Sequence, residues 1–153
     1  MINLDFSYVE LEPIIREKLE NGGKVRIKPR GTSMLPMLRQ GIDEVELVKP
    51  TGKLNKYDIP FYKRASGQFV LHRVVGENKD GYILCGDNQY EYEYGIKDDM
   101  IIAKMSGYYR DGKYIPSDDN DYMKYCKNHV AKQRRKKYYV KLKRVIKKLI
   151  GRK

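Results

Sequence analysis

The chain reads as an α+β protein, mainly β, with one helix, a series of short strands and a strongly basic second helix. Three observations predict this. Through the middle of the sequence apolar residues alternate with polar ones over short stretches, the period of half-buried strands. Turn-forming pairs punctuate those stretches, Ser66-Gly67, Asp80-Gly81 and Asp111-Gly112 among them. Beyond Asp118 the apolar spacing changes to four, as in Tyr122, Cys126 and Val130, which is a helical period. No parallel βαβ repeat is visible.

Taken in order, Ser7 to Glu10 has the Ser-x-x-Glu form of a capping box, and Leu11, Ile14, Ile15 and Leu19 follow at helical spacing. A helix is therefore expected over 7–20, with Pro13 marking a kink or a later start, and Asn21-Gly22-Gly23 ending it. Val25 and Ile27 alternate with charged neighbours and predict a first strand. Val45 with Leu47, Ile59 to Tyr62, Phe69 to Val75, Tyr82 to Leu84, Met100 to Tyr109 and Lys113 to Ile115 predict further strands. Asp111-Gly112 between the last two is a hairpin signal. The 153 residues suit one domain and an appendage, and we expect a domain over 1–116 and a basic helical tail over 117–153.

The formal net charge of +12 is concentrated in that tail. Residues 132–153 hold 12 of the 32 Lys and Arg and no acid, so the remaining 20 basic residues balance the 20 acidic ones. Cys85 and Cys126 have neither a disulfide-framework pattern nor metal-ligand spacing, so both are expected as reduced thiols in a cytoplasmic setting, with no metal and no cofactor. The N-terminal sequence carries no secretory-signal pattern, and no apolar run reaches the roughly 20 residues needed to cross a bilayer.

The chemistry-bearing stretch is Arg30 to Pro36, Arg-Gly-Thr-Ser-Met-Leu-Pro. Gly31 permits a bend and Pro36 ends it, so the chain turns tightly around Ser33, a candidate nucleophile whose neighbouring N–H groups are available to an oxyanion. His72 lies in the apolar run Phe-Val-Leu-His-Arg-Val-Val and shares a strand face with Val70 and Val74. An imidazole so placed is either satisfied in the core or used as a base. Gly86-Asp87-Asn88 ends the next strand and offers a carboxylate to orient that imidazole.

In this order, Gly31-Thr32-Ser33-Met34-Leu35-Pro36, Tyr57-Asp58-Ile59, His72-Arg73-Val74-Val75, Gly86-Asp87-Asn88 and Ile101-Ile102-Ala103-Lys104 resemble the boxes of the serine peptidase clan that contains signal peptidases and LexA-like proteins. They are most similar to the branch in which histidine stands in place of lysine, as in signal peptidases of the endoplasmic reticulum. The resemblance spans roughly 24–109 and implies a small β domain, a Ser33 nucleophile, a His72 base and a supporting Asp87. It also implies an oxyanion site at the Ser33 N–H helped by Thr32, with Met34 and Pro36 shaping the turn and the substrate cleft. Tyr57-Asp58-Ile59-Pro60 stands where the clan has Gly-Asp-Ile-Val, and Glu91, Glu93, Asp98 and Asp99 all compete for a second acidic role. A lysine base would have to be Lys63 or Lys104. The implied activity is serine-type cleavage of a peptide bond, such as leader removal from a small ribosomally made peptide. The competing expectation is a non-catalytic peptide-binding or membrane-surface adaptor on the same fold. With His72 as base, the acid limb of kcat/KM is expected roughly at pH 6 to 7.5.

Residues 132–150 set Tyr138, Leu142, Val145, Ile146, Leu149 and Ile150 among cations, an amphipathic pattern suited first to an anionic membrane surface and second to docking on the protein's own body or a partner. Nucleic acid is the weakest candidate partner, because the remainder of the chain adds no basic excess.

Overall fold

Apolar side chains at helical spacing give the first element, α1 (Tyr8–Glu20), which buries Leu11, Ile15 and Leu19. The computed structural model describes residues 8–151. Ser7, half of the expected capping box, lies outside them. Ile14, expected on the buried stripe, is exposed, and Pro13 sits inside the helix.

Strand β1 (Val25–Ile27) turns Val25 and Ile27 inward and Arg26 outward, and pairs antiparallel with β2 (Glu44–Val48). The chain between them carries Ser33. Next come β3 (Pro60–Lys63) and β4 (Phe69–Leu71), joined by a turn in which Arg64 N–H donates to the Gln68 carbonyl at 2.9 Å. The run expected as one strand over 69–75 is divided: β5 (Arg73–Asn78) begins one residue after β4 ends and belongs to a different sheet. His72 is the single residue between them. β6 (Gly81–Cys85) pairs with β5 and with β7 (Glu93–Ile96). β7 is an element the sequence reading missed, although Tyr90, Tyr92, Tyr94 and Ile96 recur with period two.

The long strand β8 (Ile101–Arg110) lies between β2 and β3 and also pairs with β9 (Lys113–Pro116) across Asp111-Gly112. Both turn residues have positive φ, 52° and 79°, the conformation that makes Asp-Gly a hairpin pair. The larger sheet therefore runs β1-β2-β8-β3-β4 with β9 attached to β8, and the smaller runs β5-β6-β7. This is an α+β, mainly β architecture, as expected.

Two apolar clusters fill it. One gathers α1, the inner face of the larger sheet, Met34, Met37 and Leu38. The other contains Leu54, Tyr62, Val70, Val74, Tyr82, Leu84 and Ile96. The last element, α2 (Asn120–Ile150), is capped by the Asp119 carboxylate, which accepts from Tyr122 N–H at 2.9 Å. Its first turns belong to the body, because Tyr122 and Cys126 join the first cluster while Val130 and Gln133 are also buried. From residue 141 to 150 every position is exposed. Among the described residues, no helix is long and apolar enough to cross a membrane.

Candidate active site

Ser33 sits in a turn that Gly31 opens at φ 85°, a left-handed conformation that side chains resist. Leu35 N–H closes the turn on the Thr32 carbonyl at 3.2 Å, and the Leu35-Pro36 bond is cis. From the opposite side the loop after β6 reaches over: Asn88 N–H donates to the Ser33 carbonyl at 2.8 Å and Asn88 Nδ2 to the Thr32 carbonyl at 3.2 Å. The amide of Ser33 donates no hydrogen bond among the described residues, which leaves it available as an oxyanion donor.

Ser33, Thr32, Met34 and His72 line one cavity of about 440 Å³, together with Arg30, Arg64, Asn88 and Gln89. Gly86 is the common neighbour. A Cβ added there would come within 2.6 Å of the Ser33 carbonyl oxygen and 3.1 Å of His72 Nε2. The absence of a side chain at 86 thus lets the serine turn and the imidazole approach each other. Among the described residues, no hydrogen bond joins the Ser33 hydroxyl to the ring.

The other imidazole nitrogen fixes the tautomer. His72 Nδ1 lies 3.3 Å from the Tyr62 hydroxyl, and that hydroxyl donates its one proton to Glu93 Oε2 at 2.7 Å. The Tyr62 oxygen is left to accept, so Nδ1 carries the hydrogen and Nε2 keeps its lone pair. Arg64 holds Glu93 with a fork, Nε to Oε1 at 2.8 Å and Nη2 to Oε2 at 2.7 Å. Burial would raise the Glu93 carboxyl, but its bonds to Arg64 and Tyr62 outweigh it and hold the group below its ordinary range. Burial pushes the His72 imidazole down to about 4, against the pull of Glu93, 3.6 Å from Nδ1. The ring is therefore neutral at physiological pH.

Asp87 is elsewhere. The pleat places Arg73 on the face opposite His72, and its guanidinium takes the carboxylate bidentately, Nε to Oδ1 at 2.8 Å and Nη2 to Oδ2 at 2.7 Å. A charge-assisted fork outcompetes one bond to a neutral ring. Tyr125 also donates to Asp87 at 3.0 Å, while Arg73 Nη1 contacts the Tyr122 hydroxyl and Cys126 Sγ, each at 2.9 Å. Asp87 supports the site by tying β5 and the Gly86 loop to α2, and Glu93 with Tyr62 occupies the orienting position expected of it.

Pro36 lines a different cavity, beside Tyr108, Arg110 and Tyr122, so it shapes the turn without bordering the Ser33 cleft. Met34 is both core and cavity wall. Lys63 is held by Glu12 at 2.7 Å and Lys104 by Asp58 at 3.3 Å, and neither lines the cavity. Cys85, next to Gly86, is fully buried, and burial pushes its thiol up to about 11, which makes it a poor nucleophile.

A scan against protein-family models and a search of curated proteins found no match for this chain.

The residues that sequence reasoning missed stand on α2 and β3. Gln133 Nε2 reaches the carbonyls of Gly86, Asp87 and Gln89 at 2.7, 3.2 and 2.8 Å, and His129 Nε2 meets the Asp87 carbonyl at 2.7 Å. Gln133 carried a signal in retrospect, since it extends the Tyr122, Cys126, Val130 stripe as an uncharged residue among cations. Tyr62 carried none beyond strand alternation.

Proposed function

We propose that the chain is a serine-type endopeptidase, with Ser33 as nucleophile and His72 as general base, related to the signal peptidase and LexA-like clan. What supports the reading is one cavity shared by a hydroxyl on a tight glycine-led turn and a buried neutral imidazole whose Nε2 is left free by the Tyr62–Glu93 chain. In the first step Ser33 Oγ adds to the peptide carbonyl as its proton passes to Nε2, and the Ser33 N–H receives the oxyanion. The imidazolium, steadied by Glu93 through Nδ1, gives that proton to the leaving amine. Water then repeats the sequence and releases the acid.

The proposed substrate is an extended peptide, such as the leader of a small ribosomally made peptide, and the proposed location is cytoplasmic or peripheral to a membrane. A fluorophosphonate probe tests the chemistry. Labelling of the wild type that is lost in Ser33→Ala and strongly slowed in His72→Ala is expected. Equal labelling of all three, or of none, would leave the non-catalytic peptide-binding module as the better account.

A further inference from the structure

The distal half of α2 is oriented the wrong way for a helix that serves its own body. Gln133, Lys137, Val140 and Arg144 turn towards the protein: Lys137 Nζ stands 3.4 Å over the Tyr92 ring and 3.0 Å from the Tyr94 hydroxyl, and Arg144 lies 3.7 Å from Glu91. Tyr138, Leu142, Val145, Ile146, Leu149 and Ile150 turn away. At about 100° per residue the centres of these two sets are roughly 180° apart. The apolar sector spans roughly 140°, taking in Tyr139 and one cation, Arg135, and the remaining arc is almost wholly cationic. Tyr138 is 73% exposed and Leu149 69%.

We propose that this outward apolar face, with its cationic flanks, seats in the interface of an anionic lipid bilayer. Residues 132–150 hold ten Lys and Arg and no acid. A second copy laid on the same face would bring two such arrays together with no acidic residue in either 132–150 segment to neutralise them. Phosphodiester backbones match the charge but give the apolar sector nothing to contact. An anionic lipid surface satisfies both, with headgroups meeting the cations and the acyl boundary meeting the apolar side chains. Residues 134–150 extend over about 25 Å and lie along the surface, since α2 is too polar to cross it. The same helix holds the Gly86 loop through Gln133, so docking would keep the Ser33 cavity close to the bilayer.

Co-sedimentation of the full chain with vesicles tests this, using phosphatidylcholine mixed with phosphatidylglycerol against phosphatidylcholine alone. Binding to the mixed vesicles should be about tenfold tighter or more, and should fall to the phosphatidylcholine level in the double variant Leu142→Glu, Leu149→Glu. Both positions are exposed, so a thermal melt of the variant should match that of the wild type. Ser33→Ala should bind unchanged, which separates this inference from the peptidase reading. Three results would overturn it: a wild type that stays in the supernatant with mixed vesicles, a double variant that binds them as tightly as the wild type, or a dimer in light scattering that the double substitution dissolves.

Discussion

Protonating His72 in its pocket is harder than in water, because burial strips solvent from the imidazolium faster than Glu93 replaces it, and the imidazole pKa sits at about 4. The acid limb of kcat/KM should accordingly fall below about pH 5, rather than near neutrality as the sequence suggested. A midpoint between pH 6 and 7.5 would mean that the ring is wetter than its 3% exposure indicates. Glu93→Gln removes the charge that steadies the imidazolium, and should lower kcat roughly a hundredfold with KM little changed. Asp87→Asn should behave differently. It leaves Arg73 buried with half its fork gone, so a loss of about 3–5 kcal/mol in urea denaturation is expected. An Asp87→Asn protein of full stability that loses only kcat would restore Asp87 to the orienting role. The sequence exposed Ser33 and His72 because each breaks its local pattern, one by a glycine-led bend and the other by a titratable group in an apolar run. It hid the partner of His72, since choosing among four acids requires knowing that β7 pairs with β6 and that Arg73 claims Asp87.

Secondary structure was readable wherever one period ruled an element, as in β1, the Asp-Gly hairpin and α1. It failed at 69–75, because a change of sheet leaves the alternation intact: Val70 and Val74 still share one cluster although they stand in different sheets. The start of α2 was read as the start of an appendage, yet its first four turns close the core and brace the Gly86 loop. Gln133→Leu should cost about 1–3 kcal/mol and raise amide hydrogen exchange at 86–89, where the Gly86 and Gln89 carbonyls lose their side-chain donor and the Asp87 carbonyl keeps only His129. Unchanged exchange there would mean that Arg73, His129 and the Asn88 contacts hold the loop without Gln133. A cut after residue 131 should reproduce that loosening, whereas a cut after Lys136 should not.

Over the whole molecule, acid should act on the fold before it exhausts the carboxylates. His72 in the unfolded chain takes up its proton near pH 6.5, whereas the folded protein resists until about 4, so stability is intact above 6.5 and declines as pH falls towards 4, by about 3 kcal/mol in total. Asp43 extends the decline. Its burial is outweighed by hydrogen bonds from Arg39 and Arg110 that hold it at about 2, and that contribution disappears as pH drops through that value. His72→Gln should flatten the first part of the curve in urea titrations between pH 7 and 4, and an unchanged slope would put the sensitivity elsewhere. The chain's passage from β4 to β5 through one residue has a consequence for length changes. No slack separates the pairing of Leu71 with Phe61 from that of Arg73 with Cys85. Inserting or deleting a single amino acid between 69 and 75 would invert inside and outside for one sheet while the other stayed fixed, so this seven-residue segment should reject single-residue insertions and deletions, whereas the exposed Ala65–Ser66 turn should accept them.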